Sequence, residues 1–167
     1  IHERHVSNEN IPRCAGWLGH NKEDRFKRPD TFSPIPTAES WQLSNAPVIS
    51  MAAHLASLEI FDEAGFKNLR AKSIELTNFL AFVIDEINKE VSINLEVITP
   101  KEENDRGCQL SIVAHGAERK LFNQLTAEGV ISDWREPNVI RVAPVPLYNS
   151  FEDVYRFGEV LKQALKI

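Results

Sequence analysis

Apolar residues begin to recur with helical spacing at Val48. Val48, Met51, Leu55, Leu58 and Phe61 follow one another at intervals of three and four, which lines up one face of an α-helix. Ile49, Ala52, Ala53 and Ala56 occupy the other side, so the spacing predicts a helix buried around most of its circumference. Pro47 suits its first turn, where a missing N–H costs nothing. Either Asn45 or Ala46 is the N-cap, and Gly65 is the stop.

A second helix is predicted from about Phe66 to Lys89, with Leu69, Leu76, Leu80, Val83 and Ile87 inward and Lys67, Arg70, Lys72 and Glu75 outward. The period then changes to two. Ile93, Leu95 and Val97 alternate with Asn94 and Glu96, as in a half-buried strand. The charged run 101–107 reads as a solvated turn, followed by a strand over 109–114. A helix over about 117–128 presents Leu121, Phe122 and Leu125 and stops at Gly129. Two further strands, 130–134 and 139–143, flank the turn R-E-P-N. Ser150 caps a last helix, with Asp153 three residues on in a capping-box position, and Phe151, Val154, Phe157, Leu161 and Leu165 form its core face.

The order after residue 66 is helix, strand, strand, helix, strand, strand, helix. Short links between paired strands point to an α+β module, a small antiparallel sheet covered by helices. Residues 1–46 differ. They hold Pro12, Pro29, Pro34 and Pro36 and keep neither period, so they are expected to pack as an irregular segment against further chain.

A hydrophobic content of 43% and a charged content of 26% are those of an ordinary globular protein. The net charge of -5 argues against a nucleic-acid surface. No apolar run is long enough for a membrane span. Cys14 and Cys108 form no disulfide framework and lack a neighbouring base, which fits a cytoplasmic setting. His2 and His5 lack helical zinc spacing, so no metal site is expected. His54, on an apolar helix, reads as a core residue.

One residue carries candidate chemistry by itself. Arg141 interrupts the apolar strand V-I-R-V-A before Pro144 and Pro146. With Ile140 and Val142 inward, Arg141 faces the other side of the sheet, toward a cleft or toward solvent. An arginine fork matches a carboxylate in two parallel hydrogen bonds. Trp17 lies between Gly16 and Gly19, near which a ligand can approach the backbone closely, or an ordinary turn can form. Asn45 precedes a helix N-terminus, a favourable place for an anion.

The segments I-H-E-R-H (1–5), G-W-L-G-H (16–20), R-F (25–26), L-S-N-A-P (43–47), H-L-A-S-L-E-I-F (54–61), R-G-C-Q-L (106–110) and I-R-V-A-P-V-P-L-Y-N-S-F (140–151) resemble kynureninases in order and spacing. The resemblance spans nearly all 167 residues but only the C-terminal portion of a kynureninase. It implies the C-terminal domain of a pyridoxal-phosphate enzyme of the aspartate-aminotransferase fold. Residues 1–46 would close the large cofactor domain, 47–65 would link, and 66–167 would form the small α+β domain.

The family hydrolyses kynurenine, or its 3-hydroxy form, to an anthranilate and alanine in tryptophan catabolism. By resemblance, Trp17 and Asn45 bind the pyridoxal 5'-phosphate of the neighbouring subunit of a homodimer. Ser44 and Asn45 line the substrate's place, and Arg141 holds its α-carboxylate. The Schiff-base lysine is expected before Ile1, in a missing N-terminal cofactor domain, which leaves this portion without a catalytic residue and inactive alone. Rival readings are a cysteine desulfurase-like or aminotransferase-like enzyme of the same fold, or a non-catalytic interaction module.

Overall fold

The computed structural model describes residues 1–167 except Ser7, Glu9, Glu118 and Ile167. The described residues form α1 (Val48–Ala64), α2 (Phe66–Asn88), β1 (Leu95–Val97), β2 (Leu110–Ala114), α3 (Arg119–Ala127), β3 (Asp133–Arg135), β4 (Val139–Val142) and α4 (Phe151–Leu165). The fold is α+β, as the change of period predicts. Two compact units divide the chain, Ile1–Leu58 and Glu59–Ile167.

In the second unit the strands form one antiparallel sheet in the order β1-β2-β4-β3. The central pair sets Leu110, Ser111, Ile112 and Val113 opposite Val142, Arg141, Ile140 and Val139. Alternation then separates the faces. Leu110, Ile112, Ala114, Ile140 and Val142 are buried together with Leu76, Leu80, Ile84 and Ile87 of α2, Leu121 and Leu125 of α3, and Val154 and Leu161 of α4. Each fully buried leucine or isoleucine contributes roughly 1.5–3 kcal/mol through the area it removes from water.

Where α2 meets α4, Gly158 makes room. A Cβ there would lie 2.4 Å from Val83 Cγ1. The N-terminus of α4 carries the expected capping box: the Asp153 N–H donates to Ser150 Oγ, and the Ser150 N–H donates to the Asp153 carboxylate at 2.7 Å. That charge-assisted contact holds the Asp153 carboxyl below the usual carboxylate range.

Several expectations need correction. No residue of α1 is buried; Val48 is 76% and Ile49 87% exposed, because no described segment covers the helix. His54 is exposed, as are its neighbours along α1. The Met51 N–H donates to the Pro47 carbonyl at 2.9 Å, so the helix starts at Val48 and the cap position falls on Pro47, neither on Asn45 nor on Ala46. On α2, Ile84 takes the buried place given to Val83, and Ser73 and Thr77 join the stripe; Thr77 satisfies its hydroxyl on the Ser73 carbonyl at 2.9 Å. Phe151 is half exposed, edge-on to Phe79. The third strand begins at Asp133, not at residue 130, and Ile131 is exposed. The charged turn 101–107 is solvated but tied down: the Asn78 amide donates to Glu103 Oε1 at 3.1 Å.

The first unit keeps its irregular character. Before α1, its described residues form short 3-10 turns and an isolated bridge, His20 with Pro34.

Candidate functional site

Arg141 stands on the sheet face opposite the helices. Its register neighbours are Ser111 on β2 and Asp133 on β3, so three polar side chains lie in one row across three strands. The fork has an anion within the chain: Arg141 Nη2 donates to Asp133 Oδ2. Arg135 Nη2 reaches the same oxygen at 3.1 Å. Led by the hydrogen bond from Arg141, these contacts hold the Asp133 carboxyl below its ordinary value, against some desolvation. Two guanidiniums on one carboxylate leave a net positive charge. Arg141 Nε is buried and donates to nothing among the described residues.

Sequence reasoning found Arg141 and missed Asp133. The expected turn over 135–138 pairs residue 132 with 141; a strand that runs one residue further, through Arg135, sets residue 133 opposite 141 instead.

In the first unit two glycines pack the turn that holds Trp17 onto the segment that precedes Ser44 and Asn45. A Cβ on Gly16 would lie 2.3 Å from the Leu43 Cα, and one on Gly19 would lie 2.4 Å from the Ser40 carbonyl oxygen. Both glycines are thus used for backbone-on-backbone packing against segment 40–43. This contact sets the Trp17 turn against the chain that leads into Ser44 and Asn45, both exposed.

Trp17 is 46% exposed and meets Phe26 edge-on at 5.3 Å between ring centres. A hollow of about 540 Å³ beside it is lined by His20, Arg25, Arg28 and Phe32 among others. His20 is buried. Its Nδ1 accepts the Ser33 N–H at 3.3 Å, and its Nε2 lies 2.9 Å from Asp24 Oδ1 but out of line for a hydrogen bond. Arg13 ties the segment together, donating to Ser40 Oγ and to the carbonyls of Val6 and Asn8 and lying over the Trp41 ring. Among the described residues no group of three metal-ligating side chains occurs, and no helix is long and apolar enough to cross a membrane.

Residues 69–161 match the family model described as Kynureninase C-terminal domain. The chain is 52% identical over 165 residues to kynureninase of Flavobacterium psychrophilum, covering 99% of this chain and 39% of that protein. It is 52% identical to kynureninase of Flavobacterium johnsoniae and 50% identical to that of Christiangramia forsetii, over the same lengths and shares. The chain thus spans 39% of the length of each of these relatives. The strand that presents Arg141 and most of the helices behind it lie within the matched residues: the chain belongs to the kynureninase C-terminal domain family.

Proposed function

We propose that this chain is the C-terminal portion of a kynureninase that hydrolyses kynurenine or 3-hydroxykynurenine to an anthranilate and alanine, as a cytoplasmic homodimer. The observation that carries this reading is the 52% identity over 165 residues to proteins named for that activity. Arg141 binds the α-carboxylate of the amino-acid substrate. Its fork stands off the core face, one third exposed, with a net positive surplus beside it. Fixing the carboxylate orients the rest of the substrate.

Trp17 and Asn45 hold the phosphorylated end of pyridoxal 5'-phosphate, and Ser44 with Asn45 lines the substrate's place. The residues fit such a group. Trp17 and Asn45 are both exposed, and along the hollow beside the indole the charges of Arg25 and Arg28 exceed that of Asp30. When bound, the cofactor supplies the electron sink for carbon–carbon cleavage. The anchoring amine for that cofactor is not among the lysines of this chain, so this portion alone is inactive. Imine chemistry needs an amine of lowered pKa in apolar surroundings. No lysine here is buried. Hydrogen bonds donated to Glu86 and Glu90 raise the values of Lys89 and Lys162, and Lys22 pairs with Glu39.

The test is Arg141→Ala in the full-length protein. Removing one charge-assisted fork should raise KM for kynurenine by the equivalent of about 2–5 kcal/mol and leave cofactor affinity nearly unchanged. Trp17→Phe should do the reverse, weakening cofactor binding more than substrate binding. An Arg141→Ala enzyme that loses its cofactor and keeps its KM would refute the assignment.

A further inference from the structure

Arg141 is long, flexible and permanently charged, so clamping it for a ligand costs up to about 2 kcal/mol of rotamer entropy unless the fold has already restricted it. The structure contains such a restriction. Asp133 lies directly opposite Arg141 in the β3–β4 pair and accepts from its Nη2.

We propose that Asp133 is the positioning residue of Arg141, tethering one end of the guanidinium so that its remaining donors meet the substrate carboxylate in a fixed orientation. This rests on the reading of Arg141 given above.

The geometry favours a tether over a competing ligand. Asp133 engages Arg141 through a single oxygen, Oδ2, and that oxygen also accepts from Arg135 at 3.1 Å. It therefore does not satisfy both arms of the fork. The surplus positive charge of two arginines over one aspartate leaves room for a second anion. A mere competitor behaves in the opposite sense: removing its charge strengthens the attraction of the two guanidiniums for an incoming carboxylate.

The experiment uses the full-length, cofactor-loaded protein and four variants: Asp133→Asn, Asp133→Glu, Asp133→Ser and Arg141→Ala. Steady-state kinetics with kynurenine is paired with inhibition by its decarboxylated amine analogue, which gives Arg141 nothing to hold. The expected result for Asp133→Asn is a KM at least roughly fivefold higher, from misalignment of the fork, with the loss in KM and not in kcat. The analogue's inhibition constant should stay within about twofold, because the effect passes only through the carboxylate. Asp133→Glu should recover part of the loss, since it retains the charge.

Asp133 is 44% exposed, so the asparagine variant is expected to fold. Should it not, Asp133→Ser, which also removes the charge, takes its place in the same assays. An unchanged or lowered KM overturns the proposal, and so does an equal rise in the analogue's inhibition constant. If Arg141→Ala raises KM and Asp133→Asn does not, only the positioning role fails. If Arg141→Ala itself leaves KM unaltered, the carboxylate reading fails first.

Discussion

The two compact units of this chain are built by opposite means. Residues 59–167 follow their own periodicity: stripes on α2, α3 and α4 close over one face of a four-stranded sheet, and the core is aliphatic apart from Trp134. Residues 1–58 bury little apolar surface; Val6 and Ile35 are their buried hydrophobic residues among those described. What organises them is polar and steric. Arg13 donates to three separate oxygens, and Gly16 and Gly19 let two backbone segments touch. An aliphatic core is forgiving of sequence as long as volume and pattern are kept. A glycine-mediated contact is not, because any side chain collides with backbone that cannot rotate away. The proposed cofactor residues sit in the second kind of structure and the proposed substrate arginine in the first.

That contrast can be broken at several points. The largest stability effect is expected for Leu80→Ala, which empties a fully buried place between α2 and the sheet and should cost about 2–5 kcal/mol in chemical denaturation. Its effect on Trp17 fluorescence should be small.

Gly19→Ala should act the other way. A methyl group 2.4 Å from the Ser40 carbonyl forces segment 40–43 to shift, at about 1–3 kcal/mol. The change should appear in the near-ultraviolet signals of Trp17 and Trp41 and, in the full-length protein, as weaker cofactor binding, with the unfolding of residues 59–167 hardly altered. A Gly19→Ala protein with native aromatic signals and cofactor affinity would remove the steric half of the comparison.

Ser150→Ala probes a smaller, local term. Loss of the cap acceptor for the Asp153 N–H should cost about 1 kcal/mol. The capping box also has a pH signature. The Asp153 carboxyl titrates below its usual range because the Ser150 N–H and hydroxyl hold the ionised form. Its contribution is therefore complete above the unfolded-state value and is lost as pH falls through the lower folded value. The stability gap between the native chain and Asp153→Asn should be open at neutral pH and close in strong acid. A gap that persists there would mean the side chain acts through packing and not through charge.

Reading by period worked best where burial is one-sided. Helices α2 and α4, strand β2 and the Ser150 cap lie close to their expected bounds. The third strand illustrates the failure. A turn R-E-P-N over residues 135–138 would pair Ser132 with Arg141. The observed strand runs through Arg135 and pairs Asp133 with Arg141 instead. A slip of one residue turns every side chain to the other face, and here it decides whether Arg141 meets a hydroxyl or a carboxylate. The α1 pattern misled differently: an all-round apolar helix implies cover, and no described segment supplies it.

Local chemistry along the chain was enough to determine the α+β class, the capped and amphipathic helices, the outward placement of Arg141 and the family motifs at 16–20, 43–47 and 140–151. Each depends on residues within a few positions of one another, whose spacing dictates which side they occupy. Only the folded structure decided the strand order β1-β2-β4-β3 and the junction of the Trp17 turn with segment 40–43. Those are pairings between distant segments. Their register is selected by the complete core and by steric fit between backbones, which no stretch of sequence expresses by itself.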